Sequence, residues 1–195
     1  DFYDDDQVKA VYDPEIDRLI KAATGAEATL IFDHTIRVES DEMRRARKVR
    51  ETVMLAHNDY TDKSGPQRVR DLLPVVEAEQ RLRSRFAIYG LWQPITGPVV
   101  SAPLAVCDAR TIAPEDWVLC DLQYEDRMGE IYNLAHNADH RWFYFPAMTS
   151  DEIMMFKSYD SADDGRVRFT PHTAFVDPTT PDGAAPRQSI ETRVL

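Results

Sequence analysis

Glycine is scarce in this chain, seven in 195 residues. Nowhere do glycines gather into a loop able to cradle a phosphate, which excludes nucleotide-binding loops of that kind. Cysteine is scarcer still. Cys107 and Cys120 each lie among apolar residues, a setting for two buried thiols in a reducing cytoplasm rather than for a disulfide framework. No window approaches the roughly 18 apolar residues that a membrane-spanning helix needs. Positive charge is in deficit, 23 Lys and Arg against 34 Asp and Glu, for a net −11 spread along the chain. Phosphate polymers are repelled by such a surface, so no nucleic-acid partner is expected. The start, Asp1-Phe2-Tyr3-Asp4-Asp5-Asp6, has no basic region followed by an apolar run, so no secretory leader is expected there. No Ser/His/Asp nucleophile arrangement stands out.

What remains is an ordinary globular composition, and its length suits one domain over 1–195. Asp13-Pro14, then Ile16, Leu19, Ile20 and Ala23, then Gly25, spell an amphipathic helix with its start and stop signals. Glu39 to Arg50 is nearly all charged, a solvated helix or a loop. Ser64-Gly65-Pro66-Gln67 has capping-box spacing, and Val69, Leu72, Leu73 and Val76 follow at helical intervals, so a helix is expected to about Arg85. From Phe86 the texture becomes short apolar and aromatic runs: Phe86–Leu91, Leu104–Cys107, Trp117–Leu122, Glu130–Leu134, Trp142–Phe145, Ile153–Phe156, Val167–Thr170 and Ile190–Leu195. These read as strands of a sandwich or barrel. The expected fold is mainly β with flanking helices, a double-stranded β-helix or cupin-like jelly roll. Its helical N-terminal part covers about 1–85, with strands interleaved from about 28 to 195. The last run meets no turn signal, so the native chain is expected to continue past Leu195.

The chemistry is carried by two stretches. In His57-Asn58-Asp59, strand alternation sends the imidazole and the carboxylate to one face. His172 lies far downstream, leaving room for the strands of a jelly roll. Two imidazoles and one carboxylate on one side of a divalent ion leave positions open, the facial arrangement of non-haem Fe(II) oxygenases, although zinc could take the same three ligands. Arg187 and Ser189 follow, two apart on the expected final strand. An arginine fork with an adjacent hydroxyl suits the far carboxylate of a 2-oxo dicarboxylate. His140 is a rival third ligand or a pocket histidine. His34 and His136 read as structural. Trp142 and Tyr144 alternate onto one face and, with Trp92, are candidates to line a substrate cavity, though they could equally fill the core. Tyr60 and Thr61 follow the ligand pair and could orient it or a cosubstrate oxygen, and Tyr60 is a further candidate for the substrate pocket. Arg110 and Arg193 could anchor a carboxylate, but read first as surface or loop salt bridges.

These stretches, with Phe32-Asp-His-Thr-Ile-Arg37, Trp92-Gln-Pro-Ile-Thr-Gly-Pro98, Pro103-Leu-Ala-Val-Cys-Asp-Ala-Arg110, His140-Arg-Trp-Phe-Tyr-Phe-Pro146, Phe156-Lys-Ser-Tyr-Asp-Ser161, His172-Thr-Ala-Phe-Val-Asp-Pro178 and Pro186-Arg-Gln-Ser-Ile-Glu-Thr-Arg193, resemble the CmcJ/NvfI-like group of Fe(II)/2-oxoglutarate-dependent oxygenases. The likeness covers nearly the whole chain from Tyr12. It implies a jelly-roll fold, Fe(II), 2-oxoglutarate as cosubstrate, O2, and a small-molecule substrate that it does not name. Members hydroxylate, desaturate or form endoperoxides. One departure is Gln93, where the group's Trp-Arg-Pro-Ile version has arginine. A non-haem iron oxidase acting without 2-oxoglutarate, a zinc hydrolase and a non-catalytic partner subunit are the rival readings, and the sequence leaves a homodimer open.

Overall fold

The computed structural model describes residues 1–123 and 128–195. Its first sheet places β1 (Ile31–Val38), β10 (Gln188–Val194), β3 (Ala87–Pro94) and β8 (Met154–Asp160) side by side in that order. The second runs β5 (Trp117–Gln123), β6 (Met128–Leu134), β2 (His57–Asn58), β9 (His172–Ala174), β4 (Leu104–Cys107), β7 (Trp142–Tyr144). All ladders are antiparallel. First and last strands pair, Ile36 opposite Ile190 and Val38 opposite Gln188, so the chain winds between the sheets and closes on itself. This is the double-stranded β-helix.

Alternation along β10 decides what lies on either side of the first sheet. Ile190 and Val194 face outward and, with Leu91, are covered by Val8, Tyr12, Ile16 and Ile20 of the N-terminal helices. Those helices are α1 (Asp5–Gln7), a π-type turn over Val8–Tyr12, and α2 (Asp13–Thr24), which ends at Gly25 in the left-handed region. Burying each isoleucine contributes roughly 1.5–3 kcal/mol. Ser189, Glu191 and Arg193 take the opposite, inward face, the first two buried and Arg193 mostly so. Trp92, Met154 and Phe156 share the interior with Leu104, Val99 and Met148. A further cluster, Tyr60, Ile88 and Tyr159 with Phe86 and Phe169, fills another part of it.

Several local expectations differ from the structure. The helix expected from Ser64 to about Arg85 is two, α4 (Ser64–Leu72) and α5 (Val75–Arg81), because Leu73 precedes Pro74 and is forced into an extended conformation. Its start is held by Thr61 rather than by a Ser64/Gln67 box: the Ser64 amide donates to Thr61 Oγ1 at 3.1 Å and the Thr61 amide to Ser64 Oγ at 2.9 Å. The charged stretch forms α3 (Asp41–Arg47), capped by Ser40. Val167–Thr170 is not a strand. Side chains hold that stretch instead: the Thr170 amide donates to Asn58 Oδ1, and Phe169 packs into the Tyr60 cluster. Conversely β1, β2 and β9 escape the apolar-run criterion. β1 interrupts its apolar residues with Asp33, His34, Thr35 and Arg37, and β2 and β9 span two and three residues.

Candidate metal and cosubstrate site

His57 on β2 and His172 on β9 are direct cross-strand partners, so both imidazoles stand on one face of the second sheet with ring centroids 4.6 Å apart. Asp59 lies one step past β2. One ligand atom from each of the three falls within 4.8 Å of the others. His57 Nδ1 donates to the Leu55 carbonyl at 2.8 Å and His172 Nδ1 to the Thr170 carbonyl at 3.1 Å. A carbonyl only accepts, so each ring carries a proton on Nδ1, which leaves Nε2, on the Asp59 side, as the atom that could ligate a metal. Those Nε2 atoms lie 3.8 and 3.9 Å from the Asp59 oxygens. His172 Nε2 is buried without a hydrogen-bond partner, which a divalent ion would relieve. The donor set therefore fits iron, with zinc chemically admissible. Burial, then the neighbouring His172, pushes the His57 imidazole down from its ordinary value and keeps it in the neutral, ligating form. Burial alone would raise the Asp59 carboxyl, but the Arg193 guanidinium and then the two imidazoles outweigh it and hold it well below the carboxylate range.

The expected cosubstrate residues stand on the inward face of the first sheet. Arg187 immediately precedes β10 and Ser189 lies on it, and both are buried. The Arg187 guanidinium donates from Nη1 to the Ala102 carbonyl and lies 5.4 Å from the centroid of the Trp92 ring. Its Nε and the Trp92 Nε1 are both buried without partners. Two unsatisfied donors in a closed interior suit a carboxylate such as that of 2-oxoglutarate. Burial first, and Arg37 second, push the Arg187 guanidinium down to about 10, so it remains a cation at neutral pH.

Other expected residues fall elsewhere. His140 donates from Nε2 to Asp116 Oδ2 at 2.9 Å, in a cluster with Asn137 and the Ala113 amide, and is not among the three clustered donors. Tyr60 packs against Ile88 and Tyr159. Trp142 and Tyr144 pair with Cys107 and Ala105, whereas Phe143 pairs with Val106, the partner of His172. Directly opposed residues share a face. Phe143, 55% exposed, thus lies on the histidine side, and Trp142 and Tyr144 lie on the other; the expected alternation was displaced by one residue. Gln93 pairs with Ile190 on the outward face and donates to the Ser150 carbonyl, so its replacement of arginine does not touch this site. Arg110 pairs with Asp108 and His34 with Thr192 and Asp13. Arg193 is no surface or loop salt bridge: its side chain, 13% exposed, forks onto Asp59 and contacts Asp33 and Glu191. Asn133, opposite His57 on β6 with a buried, unpartnered Oδ1, escapes the sequence because a lone asparagine in an otherwise apolar run gives no motif.

Two interleaved antiparallel sheets with a His-x-Asp pair and a distant histidine converging between them have the architecture of the non-haem, cupin-like oxygenases. Comparison with known proteins narrows this. The chain matches, over residues 1–195, the family described as "Oxidoreductase/YMDC permease-like domain". It is 30% identical to the hydroxylase/desaturase efuI of Hormonema carpetanum, over 99% of this chain and 72% of that protein. It is 34% identical to the Fe(II)/2-oxoglutarate-dependent dioxygenase nvfI of Aspergillus novofumigatus, over 96% of this chain and 66% of the relative. The solved structure of the iron and alpha-ketoglutarate-dependent endoperoxidase NvfI superposes with a TM-score of 0.88 at 29% identity, covering 98% of this chain and 70% of that one. The chain belongs to this hydroxylase/desaturase family of Fe(II)/2-oxoglutarate-dependent oxygenases, and spans about two thirds of these relatives' length. Among the described residues no helix is long and apolar enough to cross a membrane.

Proposed function

We propose that the protein oxidises an unactivated C–H bond of a small, largely apolar, natural-product-like molecule, consuming 2-oxoglutarate and O2 and releasing succinate and CO2. Hydroxylation is the default outcome and desaturation the variant. His57, Asp59 and His172 would hold Fe(II); Arg187 and Ser189 would hold the far carboxylate of 2-oxoglutarate. When bound, iron and cosubstrate supply the oxidising power. The protein's contribution is positional. The Nδ1–H bonds to Leu55 and Thr170 fix both imidazoles, and the Arg187 fork orients the dicarboxylate. Trp92, Met154 and Phe156 keep the neighbouring interior apolar, and Phe143 adds an aromatic surface on the histidine face.

The single observation that carries the reading is His172 Nε2, buried and unpartnered beside the Asp59 carboxylate. A reducing cytoplasm suits the free thiols of Cys107 and Cys120. The test is reconstitution under argon: one Fe(II) per chain, lost in His57→Ala, Asp59→Ala and His172→Ala, with succinate release stimulated by small organic molecules. Full iron occupancy in His172→Ala with loss in His140→Ala would move the third ligand. Stimulation by peptides or oligonucleotides alone would remove the substrate class.

A further inference from the structure

We infer that Arg193 is a positioning residue of the metal centre, acting through Asp59, and that Asp33 and Glu191 hold it in place; the inference rests on the reading of His57, Asp59 and His172 as metal ligands. Arg193 is the inward-facing residue near the end of β10, opposite Asp33 on β1 and Gly90 on β3. Its Nε donates to Asp59 Oδ2 at 3.2 Å and its Nη2 to Asp59 Oδ1 at 3.1 Å, a two-pronged grip that fixes the plane of the carboxylate. Nη1 donates to Asp33 Oδ2, and Glu191 Oε1 lies 3.1 Å from Nη2.

Every nitrogen of Arg193 is thereby engaged. It has no free edge for the cosubstrate, which separates it from Arg187, whose Nε has no partner. Asp59 stands beyond the end of β2, where no ladder restrains the backbone, and the nearby imidazole nitrogens are 3.8 Å or more away. Arg193 is the only side chain among the described residues that hydrogen-bonds the Asp59 carboxylate. Two guanidinium contacts leave one further lone pair on each oxygen, so the grip orients the ligand without consuming it. Three carboxylates, Asp33, Asp59 and Glu191, face two guanidiniums, Arg193 and the nearby Arg37.

Titration of the metal-free protein with Co(II), a spectroscopic stand-in for Fe(II), followed by its visible ligand-field band, tests this with circular dichroism as the check on folding. Arg193→Gln should weaken Co(II) binding about 10–100-fold and alter the band, the usual effect of removing a group that orients a metal ligand. Arg193→Lys should recover part of the loss. Asp33→Asn, which leaves the Asp59 fork present but frees its far anchor, should weaken binding less. Arg110→Ala should bind as wild type. If Arg193→Gln fails to fold, Arg193→Lys and Asp33→Asn carry the test, and wild-type affinity and spectrum in both overturn the inference. Failure of the wild type to bind one Co(II) per chain overturns the triad reading and this inference with it. Normal binding by wild type and all Arg193 variants overturns the inference alone.

Discussion

Arg187 keeps a charge where charge is costly, and the cost is what makes it informative. A guanidinium with an unpartnered Nε in a closed interior gains most from a ligand that brings a carboxylate. Arg187→Ala is therefore expected to weaken 2-oxoglutarate by about 2–5 kcal/mol while iron stays bound. Ser189→Ala, losing one neutral donor, should cost about 1 kcal/mol. Anaerobic titration of the iron–oxoacid absorption band reads both, and an unchanged dissociation constant for Arg187→Ala would move the anchor away from this end of β10. Asp160 is a second buried charge, tied to a different quantity. It accepts from Arg85, Lys157 and the Ala162 amide. Burial would raise its carboxyl, but the Arg85 and Lys157 bonds hold it well below the usual carboxylate range. A depressed carboxylate stabilises the fold fully above its unfolded value near 3.9, and that stabilisation is lost as pH falls toward the folded value. Wild type should thus lose stability below about pH 4 more steeply than Asp160→Asn. Urea midpoints measured at pH 7 and pH 3 check this; equal pH slopes would remove Asp160 from the acid response.

Among the elements, β3 shows how packing reaches the site through a neighbour. Gly90 lies under the Phe156 ring of β8, where an added Cβ would meet the ring at 2.6 Å, and that ring lies 4.5 Å from the His172 ring centroid. Gly90→Ala must displace the Phe156 ring that packs on His172, with an overpacking cost of typically 1–3 kcal/mol. Reduced thermal stability together with weaker metal binding is the expected pair of results, and lower stability with unaltered metal affinity would confine the strain to Phe156. How much of this was legible in the chain differs by element. Leu104–Cys107 and the neighbouring apolar runs announce strands, because their side chains alone decide where they are buried. β2 and β9 are too short for periodicity, although His57 and His172 are recognisable as metal-ligand types in the right order. Trp142 and Tyr144 have the expected two-residue alternation, yet nothing local says which face meets the histidines; the pairing of Phe143 with Val106 does. In the sequence Arg193 is a candidate carboxylate anchor that nothing local separates from a surface salt bridge. Only the register of β10 against β1 brings it beside Asp33, with Asp59 across the interior.

For the whole molecule, a metal is also a stability term. At free metal about 100 times its dissociation constant, binding adds about 2.7 kcal/mol. In a domain of this size that corresponds to a rise in Tm of roughly 5–10 °C. Chelation should remove the increment in wild type and have no effect in Asp59→Ala, as scanning calorimetry can show; an equal loss in both would mean that the chelator acts elsewhere. The pairing of the first strand with the last has a separate consequence, one of timing. Asp33, His57 and Asp59 are all made before His172, and Arg193 follows His172. A growing polypeptide therefore exposes a half-made histidine–aspartate pair long before the groups that complete and brace it have left the ribosome. A chain stopped short of β10 would thus carry the His57, Asp59 and His172 donors without the guanidinium that grips Asp59.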